Sequence, residues 1–455
     1  MGTKIEIGYL KFLPRFQGIS ARLIENNFLN LLGRYANIRI TPLRKINDIE
    51  ETLKRIEEYK LDYLYISSFI SDFGYLKVLF WAREKLGINI PFIFYIHAVF
   101  PWFDSFVYAI PFLRNYDKIF APSEYAKSSF LKLSPKFDVH VIPYCIDLNL
   151  IQRNLSTNIK KNKKIITFMG RLIPKKGVGV LIESLPKIIA KIDNAHLNII
   201  GPLSGGGIKN SPKSTYVKKI EKLVRQHKLT NRVTFKGVRL GLNKYKILSE
   251  SDIFVNPTLA EEETLGIVNI EALACGVPVI TTYWGGSREI IKNDKNGYLL
   301  EIHRDKKNKP YFDHNQLVSL IIKVLGNKNL NLKLKKNAMM SVEKYDYHII
   351  MPHFVSLLKK RKANIDIASR WDFFKDKMPT DFGYIFNDEF LFFLFLEKNF
   401  KAYTFSTFYN RVINNYAGKS ISLKKSSKEG VKMKSHESHI IRKIRKDFFY
   451  YLTSN

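Results

Sequence analysis

Two glutamates, Glu263 and Glu271, stand eight residues apart in the stretch ETLGIVNIEALACGVPVI, which is otherwise apolar enough for a buried helix. Glutamate is almost never fully buried without a partner, so the pair marks either a ligand site or a core helix with one incidentally partnered charge. On a helix the separation corresponds to about 12 Å at 1.5 Å per residue. That is the span from the sugar to the ribose of a nucleotide-diphosphate sugar, and a site for such a donor is the first expectation. Thr264, Leu265 and Gly266 are expected at the helix start, where backbone N–H groups lack intrahelical partners and the dipole's positive end suits phosphate. Gly266 lets a ligand approach the backbone, and Glu271 leans back toward the opening because helical side chains tilt toward the N-terminus. Gly276 is expected to stop the helix, with a short buried strand from Val277 to Thr282.

Such groups need a scaffold, and apolar strand-like runs alternate with helix-like stretches in two series. The first runs Lys4 to Phe12, Ile38 to Thr41, Asp62 to Ser67, Phe92 to His97, Lys118 to Pro122 and Val139 to Pro143. After the polar linker Gln152 to Asn162, the second runs Lys164 to Met169, Leu197 to Gly201, Val233 to Lys236, Asp252 to Asn256, Val277 to Thr282 and Tyr298 to Glu301. Alternation of this kind predicts α/β architecture with parallel sheets covered by helices on both faces, here two domains facing a cleft. Ligands of doubly wound domains bind beyond the carboxyl ends of the strands. Beyond Met169 comes Gly170-Arg171-Leu172-Ile173-Pro174-Lys175-Lys176-Gly177. There Gly170 permits a tight turn, Arg171 offers a fork for phosphate oxygens and Lys176 a mobile point charge, unless the loop is merely solvated. His97 ends another strand; a lone histidine is more often structural than catalytic, and a strand's carboxyl end shifts that balance toward function. Ser204 to Gly207 is a weaker loop signal.

Composition sets the limits. A chain of 455 residues should form two or three domains with sizeable cores, and 45% hydrophobic residues make it globular. The two cysteines, Cys145 and Cys275, lie in apolar surroundings and read as buried thiols of a reducing compartment. No signal peptide is apparent, and the apolar run from Leu86 to Leu113 is broken by Pro91, Pro101, Asp104 and Pro111. A cytoplasmic location, peripheral on a membrane face, is therefore expected. The net charge of +33 fits either a polyanionic neighbour (an anionic membrane, nucleic acid or phosphorylated substrates) or solubility in a lysine-rich composition, and alone it selects no function.

GRLIPKKG, the Glu263/Glu271 spacing, EALACGVPVI, WGGSREII followed by NGYLL, and APSEYAKSSF with VIPYCID together resemble the family-4 retaining glycosyltransferases of the GT-B fold. The resemblance runs from about Lys118 to Leu358. It implies two Rossmann-like domains, the first (1–155) on the acceptor side, the second (156–340) holding a nucleotide-sugar donor. A terminal helix within 341–362 would pack back on the first domain, and an accessory region, read as helical, would follow at 363–455. It further implies that Arg171 and Lys176, after Gly170, contact the diphosphate. Glu271 would take ribose hydroxyls, Glu263 the donor-sugar hydroxyls, and backbone groups from Leu265, Gly266, Ile267 and Val268 the distal phosphate. His97 would lie near the transferred sugar. Thr264 and Leu265 stand where the family usually shows Gly-Phe, Cys145 where it usually shows glycine, and Leu13 to Gly18 lacks the usual paired-glycine loop.

The implied reaction is retaining transfer of a hexose to a hydroxyl of a glycan or lipid-linked glycan. No cofactor is called for beyond the nucleotide sugar. With two cations placed for the leaving diphosphate, no metal is required, and no His/Asp cluster shows metal-ligand spacing. Val99 to Leu113 is rich in aromatics and reads as an acceptor loop, ordinary core or an interfacial contact. From Arg411 to Lys446 eleven Lys or Arg face two acidic residues, Glu429 and Glu437. That stretch admits a nucleic-acid module as the alternative function, a membrane anchor, or a solvated basic face.

Overall fold

The computed structural model describes residues 4–12, 19–43, 49–67, 79, 83, 86–97, 114, 116–133, 138–155, 162–203, 214–260, 263–306 and 309–359. The readings made for Leu13 to Gly18, Val99 to Leu113, Ser204 to Gly207 and the accessory region 363–455 lie outside them.

The first lobe is a six-stranded parallel sheet, built from β1 (Glu6–Phe12), β2 (Asn37–Leu43), β3 (Tyr63–Ser67), β4 (Phe92–Tyr95), β5 (Lys118–Ala121) and β6 (Val139–Val141) in the order β2-β1-β3-β4-β5-β6. Helices α1 (Ile19–Leu32), α2 (Ile49–Glu57), α3 (Glu124–Leu133) and α4 (Leu148–Arg153) accompany it. In the second lobe β7 (Lys164–Met169), β8 (Ala195–Ile200), β9 (Val233–Gly237), β10 (Ile253–Asn256), β11 (Val279–Thr282) and β12 (Gly297–Leu300) form a parallel sheet ordered β12-β11-β10-β7-β8-β9. Its helices are α5 (Val178–Ile189), α6 (Thr215–Gln226), α7 (Gly241–Ser249), α8 (Ile267–Ala274), α9 (Ser287–Ile290), α10 (His314–Gly326) and α11 (Lys328–Ser341), and α12 (Tyr347–Lys359) ends the described chain. A two-stranded antiparallel pair, β13 (His303–Arg304) and β14 (Pro310–Tyr311), completes the set.

Every strand expected from the apolar runs is present, shifted by at most two residues at an end. The reason is that parallel strands are covered on both faces and read as unbroken apolar runs: β4, β8, β10 and β11 are buried at every position. The second sheet reverses direction between β7 and β10, and the crevice beyond the carboxyl ends at such a switch point is where open α/β sheets bind ligands. The loops following β7 and β10 carry Lys176 and Glu263.

Helix α12 leaves the second lobe and packs on the first. Phe354 meets Phe28 and Phe120 with ring centroids 5.5 and 4.6 Å apart, and Tyr63 donates its hydroxyl to the Leu358 carbonyl. The chain therefore crosses between lobes twice, and the crossings are joined. Ile146 N–H donates to the Tyr345 carbonyl and Tyr347 N–H to the Ile146 carbonyl, each at 3.0 Å, while Asp346 accepts from Leu148 N–H at 3.0 Å.

Candidate active site

The expectation of one helix carrying both carboxylates is corrected by the structure. Helix α8 starts at Ile267, so Glu263, Thr264 and Leu265 lie in the preceding loop, and the axial spacing of about 12 Å does not apply. The cause is Gly266, whose φ of +89° is left-handed and incompatible with helix. A buried polar chain holds this geometry. Asn256 Nδ2 donates to Asn269 Oδ1 at 3.1 Å, Asn269 Nδ2 donates to Ser287 Oγ at 3.1 Å, and Asn269 N–H donates to the Gly266 carbonyl at 2.9 Å. Gly276 ends the helix as expected, with φ +69°, and the strand after it starts at Val279 instead of Val277.

The loop after β7 turns sharply through Pro174–Lys176 and is fastened to the loop after β10, because Leu259 N–H donates to the Lys175 carbonyl at 2.8 Å. Fastening brings Lys176 Nζ onto the Glu263 carboxylate, a pair whose side chains are only 14% and 11% exposed. Arg171 sits exposed on the same loop, one residue after Gly170. Leu265 and Gly266 are buried, and Ile267 and Val268 are half-buried in the first turn of α8, where N–H groups precede any intrahelical acceptor. The structure thus groups Glu263, Lys176, the α8 N-terminus and the Gly170–Arg171 turn at the switch point.

Glu271 lies about one turn into α8 and is 9% exposed. Its partner is Lys244 of α7, with Nζ 2.5 Å from Oε1. The neighbouring Tyr245 phenol also bonds Glu271, and burial followed by the carboxylate's charge pushes its pKa upward. Lys244 escaped the sequence reading, since nothing local separates it from the other lysines. Breaking a buried ion pair on one side leaves an uncompensated charge. Lys244→Met is therefore expected to lower stability by about 3 kcal/mol, measured by denaturant unfolding, with Lys244→Arg close to wild type.

From the first lobe, His97 lies two residues beyond β4 and is buried, 5% exposed. Its ring stacks on Tyr95 and Tyr144 at centroid distances of 4.6 and 5.7 Å. Nδ1 is 3.0 Å from the Tyr144 hydroxyl and Nε2 is 3.4 Å from that of Tyr65. Burial holds its pKa well below the usual histidine value, so the ring is neutral at pH 7. Both lobes touch here: Thr264 Oγ1 donates to the His97 carbonyl at 3.3 Å, and Ser123 Oγ donates to the Thr264 carbonyl at 2.5 Å. Nearby, Glu289 of α9 accepts from Glu124 and Tyr125 N–H, at 3.0 and 2.7 Å, capping α3 of the other lobe. Ser123, Tyr144 and Glu289 were not singled out from sequence, although APSEYAKSSF and WGGSREII contain two of them. The expected buried thiols are found: Cys145 and Cys275 are free and buried, and burial pushes Cys145 up to about 12.

An arrangement of this kind can neutralise a diphosphate and accept hydrogen bonds from sugar hydroxyls. Residues 154–340 match the glycosyl transferases group 1 family, and residues 21–150 match glycosyltransferase family 4. The glycosyltransferase MJ1607 of Methanocaldococcus jannaschii is 31% identical over 42% of this chain and 49% of its own length. The GDP-mannose-dependent alpha-(1-6)-phosphatidylinositol monomannoside mannosyltransferase of Mycobacterium tuberculosis is 27% identical over 39% of this chain and 47% of its own. The chain thus spans about half the length of these relatives. Among solved structures, Anabaena HepE in complex with UDP and glucose superposes with a TM-score of 0.61 at 18% identity, covering 78% of this chain and 100% of that one. A glycosyltransferase of Rickettsia africae gives 0.62 at 18% identity, covering 79% and 99%. At such identity these two likenesses establish the GT-B fold.

Proposed function

We propose, from the match of residues 154–340 to the glycosyl transferases group 1 and of residues 21–150 to glycosyltransferase family 4, that the chain is a retaining transferase moving a hexose from a nucleotide-diphosphate sugar to an acceptor hydroxyl. The observation that carries this reading is the pair of lysine-held carboxylates, Lys176–Glu263 and Lys244–Glu271, flanking the α8 N-terminus at the switch point. In this reading Glu271 accepts from the ribose hydroxyls and Glu263 from the donor sugar. Lys176, Arg171 and the N–H groups at Gly266, Ile267 and Val268 take the charge of the leaving diphosphate, in which role they need no metal. The bond from the anomeric carbon to the diphosphate oxygen breaks, the acceptor oxygen bonds that carbon on the same face, and the acceptor's proton passes to the departing phosphate.

A hydroxyl on a glycan or lipid-linked glycan fits the basic balance of the chain and the relative named for a phosphatidylinositol mannoside. We extend the reading to a peripheral position on the cytoplasmic face of a membrane. Among the described residues no helix is long and apolar enough to cross one. The nucleic-acid alternative rested on Arg411 to Lys446, outside the described residues.

A panel of UDP-, GDP- and ADP-hexoses decides the donor, because one relative is named for GDP-mannose and one neighbour was solved with UDP and glucose. One nucleotide sugar is expected to be hydrolysed slowly by the purified protein and faster with acceptor, and NMR of the product's anomeric proton is expected to show retention. Absence of both turnover and nucleoside diphosphate binding across the panel would sink the proposal.

A further inference from the structure

Helix α3 of the first lobe is finished by a residue of the second. The first N–H groups of a helix have no partner within it. At the start of α3, Ala126 N–H goes to Ser123 Oγ at 3.0 Å, inside the same lobe. The N–H groups of Glu124 and Tyr125 instead cross to Glu289, at 3.0 Å to Oε2 and 2.7 Å to Oε1. One carboxylate thus spans two adjacent donors at the positive end of the helix dipole, where a charged acceptor makes the stronger hydrogen bonds. Arg288 adds a second hold, its guanidinium lying 5.3 Å from the centre of the Tyr125 ring.

On its other side α9 bears on the Glu263 loop. Gly285 and Gly286, just before it, approach so closely that a Cβ would lie 2.0 Å from the Glu263 carbonyl oxygen and 2.1 Å from that of Thr264. Gly286 donates its N–H to the Glu263 carbonyl at 3.3 Å, and its own carbonyl accepts from Glu289 N–H at 3.0 Å. Ser287 Oγ accepts from Asn269 at 3.1 Å, which ties α9 to the start of α8 as well. Backbone packed on backbone has no side chain to yield, so a shift of α9 is passed to residues 263 and 264. Resting on the transferase reading above, we infer that Glu289 is a positioning residue: by capping α3 it seats α9, and through Gly285 and Gly286 it holds the Glu263 loop in place against the first lobe. Docking of the lobes and placement of the Glu263 carboxylate are thereby one event.

Spin labels on Glu57→Cys and Lys222→Cys, exposed positions in the first and second lobes, read the interlobe distance by double electron–electron resonance without any substrate. The native thiols, Cys145 and Cys275, are buried. With Glu289 intact the full chain is expected to give one narrow distance. Glu289→Gln keeps the shape but leaves a single acceptor oxygen and turns an amide donor toward a backbone N–H. It is expected to broaden the distribution toward longer distances, and Glu289→Ala to broaden it further. With the donor found in the panel, Glu289→Gln is expected to lower kcat about ten- to a hundredfold, the scale of a lost hydrogen bond to a charged group. The affinity for UDP or GDP, whichever the wild type binds, is expected to change less than about threefold, because Lys176, Lys244 and Glu271 lie within the second lobe. A distance distribution unchanged in both variants overturns the inference whether or not a donor is known. Separated lobes with an unchanged kcat overturn it as well, as do equal losses of kcat and nucleotide affinity. Circular dichroism checks folding, and Glu289→Gln, which removes no volume, carries the test if Glu289→Ala does not fold. A wild-type protein that turns over no donor refutes the transferase reading instead, and the distance measurement still decides whether Glu289 joins the lobes.

Discussion

Lys176→Met is expected to reduce sugar transfer by about a thousandfold, the scale reported by removing one preorganised group that faces developing charge. Two losses combine in this variant. On the proposed reading the leaving diphosphate loses an enclosed cation, and the Glu263 carboxylate, 11% exposed, loses the ammonium that holds it. Charge alone is not sufficient: Lys176→Arg keeps the cation but replaces a mobile point charge with a broad planar fork, in a position set by the short Pro174–Lys176 turn. Arginine is therefore expected to restore part of the rate. Steady-state kinetics with the donor from the panel measures both, and circular dichroism checks that the fold persists. A Lys176→Met protein within tenfold of wild type would remove Lys176 from the reacting centre.

Gly285→Ala is expected to be strongly damaging although it touches no ionisable group. Gly285 has φ +56°, and a Cβ there would lie 2.0 Å from the Glu263 carbonyl oxygen. Left-handed backbone costs a non-glycine residue roughly 1–2 kcal/mol before any clash, and the collision is with backbone, which cannot rotate aside. The next residue, Gly286, donates its N–H to the same Glu263 carbonyl at 3.3 Å, so any shift that relieves the clash displaces the Glu263 loop. The expected total is about 3 kcal/mol of stability, within the range of backbone strain combined with overpacking, together with near-complete loss of transfer. Thermal denaturation measured alongside kinetics tests it, with Gly87→Ala as control: Gly87 shares a positive φ of 63° but has nothing within 4 Å of the added carbon. If Gly285→Ala loses no more than the control, the two loops do not support each other as described.

The parallel sheets were legible because their strands are buried on both faces, and β7 through β12 announce themselves as apolar runs with glycine or polar residues at their ends. Lys176, Arg171, Glu263 and Glu271 were legible as charges at strand ends or in an apolar stretch. The start of α8 was not, because it depends on Asn256 and Ser287, which reach Asn269 from 13 and 18 residues away. Lys244 was hidden for a similar reason: its partner lies 27 residues further on, and the chain holds 74 lysines and arginines. The Glu289 contact with Tyr125 spans 164 residues, beyond anything that periodicity or capping rules can register.

The two chain crossings laced together at Ile146 and Asp346 give the molecule something like a door hung on paired knuckles. A single covalent connection would let one lobe swivel in any direction. Two connections bonded to each other tie the lobes together at one place, and the seam at Thr264 fastens them again at a second. His97 and the Glu263 loop, which belong to different lobes, are held together by the second of these fastenings, while the crossings at Ile146 and Asp346 keep the lobes that carry them joined.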